Sequence, residues 1–220
     1  MHLSETTSVI HSCLNINGIF AYNGRNPFYF GGFMEFEPLR AFLSAENISA
    51  HKAYLAELKL RYSVLCKSVA GLKDMSLPTI WRSLPRGDIK DEAMRLSSEI
   101  VAHEIYFCSF SNKRHRSAAV RKKYGTEDTF LYELFRSAKG ARSGFLYVYA
   151  DLHYDICSDG GFYFKGELPV LAVDLFEHAY FSDYSFDRKR YLEAATAHLD
   201  LSKIAENVKK DCKSDKNMIK

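Results

Sequence analysis

Asp174-Leu175-Phe176-Glu177-His178-Ala179-Tyr180-Phe181 is the stretch on which the reading of the chain turns. A carboxylate and an imidazole stand four residues apart here, and a helix beginning at Asp174 would put both on one face, within reach of one ion. These donors suit iron, manganese or zinc, whereas copper(I) and clusters draw thiolates. The same spacing also reads as a capping aspartate beside a hydrogen-bonded histidine. The preceding run Leu168-Pro169-Val170-Leu171-Ala172-Val173 is short, apolar and partly β-branched, which predicts a buried strand that ends as Asp174 starts a helix. A ligand at such a junction is held by regular structure on both sides.

A chain of 220 residues with 47% hydrophobic content is enough for one compact domain or two small lobes. It contains no apolar run of the roughly eighteen residues that a membrane span needs, so no membrane partner is expected. Met1-His2-Leu3-Ser4-Glu5 lacks the basic start and apolar core of a secretory signal. Cys13, Cys66, Cys108, Cys157 and Cys212 are scattered, odd in number and free of Cys-x-x-Cys spacing, which predicts reduced thiols and a cytoplasmic location. A net charge of +3 is too mild to imply nucleic acid. The most basic stretch, Lys113-Arg114-His115-Arg116 with Arg121-Lys122-Lys123, has no interleaved aromatic residues and reads as solvated surface.

Residues 1–36 carry turn signals at Asn23-Gly24, Asn26-Pro27 and Gly31-Gly32, and the aromatic group Phe28, Tyr29, Phe30 and Phe33 is expected to pack on the body of the protein. Leu39 to Lys67 shows helical spacing through Phe42, Leu43, Tyr54, Leu55, Leu58 and Leu65, and a second helix is predicted from Asp88 to Phe110. Leu77-Pro78 and Leu84-Pro85-Arg86-Gly87 break the chain between them, so the two helices read as an antiparallel hairpin. A third helix follows from Thr126 to Ala138. Phe145 to Tyr149, Phe162 to Phe164 and Pro169 to Val173 read as strands, with a turn at Ser158-Asp159-Gly160-Gly161, and helices return after Asp174, at Arg188 to His198 and at Leu201 to Lys209.

The expected fold class is therefore α+β: an N-terminal lobe made of a long antiparallel α-hairpin, then a C-terminal lobe with a small three-stranded antiparallel sheet flanked by helices. The expected division is an N-terminal segment of unassigned role at 1–36, the hairpin lobe at 37–112, an α/β metal-binding lobe at 113–209 and a tail at 210–220.

The octet from Asp174 to Phe181, followed by Asp183-Tyr184 and Arg188-Lys189-Arg190-Tyr191-Leu192-Glu193, resembles the iron/manganese superoxide dismutase signature, commonly Asp-Val-Trp-Glu-His-Ala-Tyr-Tyr. The resemblance extends more weakly from about Glu37 to Asn207. It implies two metal ligands at Asp174 and His178, and a third at His103, within Glu99-Ile100-Val101-Ala102-His103-Glu104-Ile105-Tyr106-Phe107. His51-Lys52-Ala53-Tyr54-Leu55-Ala56-Glu57-Leu58 resembles the family's His-x-x-Tyr-Val-x-x-Leu; counting back from it without gaps puts the axial-histidine position on Glu46. Glu46 reads either as a carboxylate ligand or as a solvent-facing residue. The resemblance further implies that Tyr54 is the gateway tyrosine, that its usual histidine companion falls on Ala50, and that its cross-dimer tyrosine partner falls on Phe181.

Other departures surround the ion. Glu99 stands where iron-type enzymes carry a glutamine, and Phe107, Phe145 and Phe176 replace tryptophans. Carboxylates at Glu46 and Glu99 would stabilise the trivalent ion and discourage an approaching anion. The implied function is an iron- or manganese-dependent superoxide dismutase-like activity, with one ion per chain, superoxide as substrate, and Tyr54 and Glu99 as catalytic groups. Two alternatives stand beside it: a carboxylate-rich, dinuclear, oxidase-like site, and a scaffold without catalysis. Glu177 is implied to reach across a two-fold axis to a partner's ligand histidine, which makes a homodimer the expected assembly. His2, His11, His115, His153 and His198 have no family counterpart and read as surface or packing residues.

Overall fold

A computed structural model describes residues 36–75, 77–114, 116–158 and 169–204. The expected strand at Phe162 to Phe164, the aromatic group from Phe28 to Phe33, His115, residues 205–209 of the last expected helix and the tail lie outside the described residues. The elements are α1 (Ala45–Ser68), α2 (Leu77–Ser83), α3 (Asp88–Cys108), α4 (Ala118–Tyr124), α5 (Glu127–Gly140), β1 (Phe145–Val148), β2 (Tyr154–Cys157), β3 (Leu171–Asp174), α6 (Phe181–Tyr184) and α7 (Arg188–Ala197), with short 3-10 turns at Glu37–Ala41, Leu72–Asp74 and Glu177–Ala179. The protein is thus α+β, with a helical N-terminal part and a small antiparallel sheet. None of the described helices is long and apolar enough to cross a membrane.

The described residues fall into two compact units, 52–101 and 36–51 with 102–204. The division passes through α1 and α3, not through the 112/113 junction expected from the sequence. Each long helix contributes one end to each unit.

In the helical unit, Leu55, Leu58 and Tyr62 on α1 and Ala93, Leu96 and Ile100 on α3 are buried at spacings of three and four. Arg61 pairs with Glu92 at 3.0 Å, and the Tyr54 hydroxyl donates to Glu99 at 3.3 Å. One partner number rises as the other falls, so the helices run antiparallel, as the hairpin reading requires. The expected continuous helix from Leu39 is interrupted before Ala45: Pro38 starts a 3-10 turn, and the Ser44 hydroxyl accepts from the Asn47 amide at 3.0 Å as a fresh N-cap.

In the sheet-bearing unit, α4 and α5 start at Ser117 and Thr126, whose hydroxyls accept from Val120 and Thr129 amides. The strand order is β2-β1-β3, antiparallel throughout. The central strand β1 buries all four side chains, Phe145 to Val148. Its hairpin with β2 closes through Tyr149 to His153, where the Tyr149 amide donates to His153 O at 2.8 Å and Leu152 adopts φ 68°. The sequence predicts no turn here and no strand at Tyr154–Cys157, because a leucine in the left-handed region carries no composition signal. The turn expected at Ser158 to Gly161 lies, beyond Ser158, outside the described residues. Gly144, just before β1, has φ 108°, and a Cβ there would lie 1.9 Å from Cys157 O, so only glycine lets β2 close over this point.

The β1–β3 register sets which side chains face Asp174. Phe145 lies opposite it, and a slip of one residue would turn both to the other face. The outer edge of β3 is tied to the end of α3 by the Ala172 amide, which donates to Ser109 Oγ at 2.7 Å. Phe42 packs against Phe110 and Tyr191, with ring centroids at 5.0 and 6.3 Å.

Candidate metal centre

Asp174 is the last residue of β3 and is fully buried. Its backbone carbonyl accepts from the Tyr191 hydroxyl of α7 at 2.7 Å, and its Oδ1 accepts from the Phe176 amide at 2.8 Å. Those two bonds fix the carboxylate and leave Oδ2 turned inward. The helix expected to begin at Asp174 does not form: Phe176 is extended (φ −74°, ψ 154°) and only a 3-10 turn follows at Glu177–Ala179. The Asx-type turn at Asp174 offers the backbone a local alternative to helix, and the turn itself brings His178 back beside the carboxylate.

Around Oδ2 stand three imidazole nitrogens: His178 Nε2 at 2.9 Å, His51 Nε2 at 3.2 Å and His103 Nε2 at 3.6 Å. The Nε2 atoms of His103 and His178 are 3.4 Å apart, and one donor atom from each of the four residues lies within 4.8 Å of the others. His51, His103 and Asp174 are buried, whereas the His178 side chain is 33% exposed.

Local packing explains why these side chains meet. The segment that starts α1 is pinned to α6, which follows His178. Ser44 N donates to Asp183 Oδ2 at 2.8 Å, Asn47 Nδ2 donates to Ser182 Oγ at 2.8 Å, and the Tyr184 hydroxyl donates to Phe42 O. Aromatic rings then box the imidazoles. Phe145 stands edge-on to His103 at 5.2 Å, Phe176 stacks on His178 at 5.7 Å, and Tyr106 and Phe107 flank His51 at 5.0 and 5.1 Å. The three phenylalanines that the resemblance placed at tryptophan positions therefore do line the cluster.

Three of the four expected ligand positions, His103, Asp174 and His178, come together. The fourth does not. Glu46 is exposed on the first turn of α1, and the place beside Asp174 is taken by His51. Five residues of helix turn a side chain by about 140°, so a helix that aims His51 inward aims Glu46 elsewhere. The signal for His51 was present: His51, Leu55, Leu58 and Tyr62 share spacings of four, three and four, the buried stripe of α1. Reading His51 only as an alignment anchor concealed it. With Glu46 outside, the cluster holds a single carboxylate among the described residues, and the donor set expected for a dinuclear site is not assembled there. Glu99 instead bonds to Arg95 at 2.7 Å and to Tyr54 at 3.3 Å. Ala50 and Phe181 are exposed, and so is Glu177.

The donor chemistry fits an ion. Both ring nitrogens of His51 and Oδ2 of Asp174 are buried and make no hydrogen bond, although three nitrogens crowd that oxygen. Unpaired buried polar atoms are costly, and a cation held by His51 Nε2 and Asp174 Oδ2 would satisfy both together. Bonds of about 2.0–2.2 Å to one ion, at ordinary coordination angles, separate donor atoms by about 3.0–3.6 Å; His51 Nε2 and Asp174 Oδ2 are 3.2 Å apart, and the Nε2 atoms of His103 and His178 3.4 Å. Burial alone would raise the Asp174 pKa, but the close approach of His178 and His51 overcomes it and holds the carboxyl well below the usual carboxylate range. An ionised oxygen facing imidazole nitrogens is a ligand set for iron, manganese or zinc.

Comparison with known proteins agrees with this geometry. Residues 112–207 match the family model described as iron/manganese superoxide dismutases, C-terminal domain. The chain is 27% identical over 117 residues to a protein named superoxide dismutase [Fe] from Cupriavidus metallidurans, a match covering 48% of this chain and 59% of that relative. The chain thus spans under two thirds of the length of the relative it matches. Over residues 112–207, which include Asp174 and His178, the chain is similar to the C-terminal domain of iron/manganese superoxide dismutases.

Proposed function

We propose that the protein is an iron- or manganese-dependent superoxide dismutase-like enzyme that converts superoxide to dioxygen and hydrogen peroxide. One ion per chain is held by His51, His103, Asp174 and His178. The observation that carries this reading is the buried Asp174 Oδ2, unbonded and surrounded by three Nε2 atoms within 3.6 Å. When bound, iron or manganese would supply the reversible one-electron change that disproportionation of superoxide requires.

The chain's own residues do the rest. Asp174, held at both its carbonyl and its Oδ1, would contribute the charge that favours the trivalent ion, and the imidazole donors, which bring no negative charge, would limit that preference. Phe107, Phe145 and Phe176 keep bulk water from the imidazoles, while the exposed flank of His178 leaves one side open to a small anion. Peroxide formation needs protons. Tyr54, one turn beyond His51 on α1, holds its hydroxyl proton towards Glu99 Oε2, and these two are assigned the proton-handling role. Glu177, exposed beside His178, is assigned to a homodimer contact in which it reaches the partner subunit's His178. Among the described residues, Cys66, Cys108 and Cys157 are in no disulfide, which supports a reducing compartment.

Metal analysis of the purified protein together with superoxide turnover tests the reading. One iron or manganese per chain with turnover supports it. Metal without turnover, or no metal at all, overturns it and leaves a dismutase-fold scaffold. A mass measurement of Glu177→Ala, expected to shift the dimer towards monomer, tests the assembly.

A further inference from the structure

A carboxylate at Glu99 is awkward in a protein whose substrate is an anion, since a glutamine would do its bonding without charge. On the dismutase reading, which this inference deepens and rests on, that charge has to be offset. Glu99 precedes His103 by one turn of α3, and Tyr54 follows His51 by one turn of α1. The two oxygens of Glu99 are divided: Oε1 accepts from Arg95 Nη1 at 2.7 Å, and Oε2 accepts from the Tyr54 hydroxyl at 3.3 Å.

Arg95 is itself aimed. Its Nε and Nη2 donate to the two oxygens of Glu92, both at 2.9 Å, in a planar fork, and Arg61 Nη2 donates to the same carboxylate at 3.0 Å. Charges alternate along Arg61, Glu92, Arg95 and Glu99 and cancel over the four. Side-chain exposure falls from 49% at Arg61 and 37–38% at Glu92 and Arg95 to 12% at Glu99, so the innermost pair is the least screened by salt. The Arg95 hydrogen bonds outweigh burial to hold Glu92 below the usual carboxylate range, with Arg61 adding to the effect.

We propose that Arg95 is a positioning residue that cancels the charge of Glu99 and fixes its rotamer, so that the Glu99–Tyr54 pair presents no net negative charge to superoxide. Glu92 is the backstop that keeps the Arg95 guanidinium from turning away. Arginine is needed because the fork grips Glu92 while a third donor still reaches Glu99.

The test is a compensation experiment on Arg95→Gln, Glu99→Gln and the double variant, with Tyr54 observed through its labelled phenol carbon by NMR and assigned with Tyr54→Phe. In the metal-free chain, Arg95→Gln is expected to move the Tyr54 resonance, and the double variant is expected to bring it back towards that of Glu99→Gln alone. In the iron- or manganese-loaded protein, Arg95→Gln is expected to lower kcat/KM for superoxide about tenfold, whereas in the Glu99→Gln background, already impaired by loss of the proton-handling carboxylate, adding Arg95→Gln is expected to cost little further turnover. Arg95→Lys keeps the charge without the fork and should move the resonance while losing less turnover, which provides a readable variant should Arg95→Gln fold poorly. A Tyr54 resonance indifferent to Arg95, or an Arg95→Gln loss of turnover as large with Glu99→Gln as without it, overturns the proposal and leaves Arg95 as a surface helix pair. If the loaded wild type shows no turnover, the dismutase reading fails, whereas the metal-free resonances still decide whether Arg95 holds Glu99 and Tyr54.

Discussion

The charged ladder of the helical unit and the Asp174 cluster of the sheet-bearing unit treat polar groups in opposite ways. Along Arg61, Glu92, Arg95 and Glu99 each charge meets an opposite one within 3.0 Å, and all but the buried Glu99 are exposed enough for water to stand ready as a substitute. At the cluster, Asp174 Oδ2 and the His51 nitrogens are buried behind aromatic walls, and their close contacts are not hydrogen bonds. The first arrangement is complete as it stands. The second is an arrangement that a bound cation would complete, since unpaired buried polar atoms are costly without a ligand.

The largest expected effect tests the wall of the cluster. Phe145→Ala removes a fully buried ring from β1 opposite Asp174 and should cost about 3–5 kcal/mol in urea unfolding. A loss under about 1 kcal/mol would mean the box is looser than the cluster requires. Next, Mn(II) added to the metal-free protein should raise its unfolding free energy by about 4 kcal/mol at a thousandfold excess over Kd. That gain should vanish in His51→Ala and persist in Glu46→Ala; the reverse pattern would return the fourth ligand to Glu46 and leave the unpaired atoms of His51 without a purpose.

A smaller effect comes from Cys108, at the end of α3. Burial, more than the Glu104 charge and against the pull of Lys203, pushes its thiol up to about 11. An unfolded thiol ionises near pH 8.5, so the folded state keeps its proton longer, and the stability this provides is whole below that pH and is lost as pH rises towards 11. Unfolding free energy should fall by about 1 kcal/mol between pH 8 and 9.5, and Cys108→Ala should flatten that slope. The smallest effect belongs to the outer ladder: Arg61→Ala should cost about 0.2–1 kcal/mol in thermal unfolding, less at high salt, because its pair with Glu92 is half exposed. A loss several times larger would show that the ladder is a structural keystone and not a charge-cancelling device.

What could be read without coordinates followed how local each cause was. The hairpin helices, the helix starting near Thr126 and the end of a strand at Asp174 were legible because spacing or a composition change produces each of them. His103, Asp174 and His178 were legible through one motif and its partner helix. His51 was not, because gap-free counting from Tyr54 gave the axial place to Glu46, and only the buried stripe through Leu55 and Leu58 shows which way α1 faces. The approach of His178 to Asp174 was right in outcome and wrong in cause: a turn held by the Phe176 amide does what a helix was expected to do. The turn at Tyr149 to His153 depends on Leu152 adopting a conformation that leucine seldom takes, which pattern reading cannot anticipate.

The uneven seating of the four donors sets how the centre would give up its cargo. His51 and His103 are gripped by long helices and Asp174 by a strand, but His178 rides on a single 3-10 turn and shows a third of its side chain to solvent. Dissociation would begin with His178 swinging outward, so a chelator strips the ion at a pace governed by that turn, well before the sheet or either helix need open.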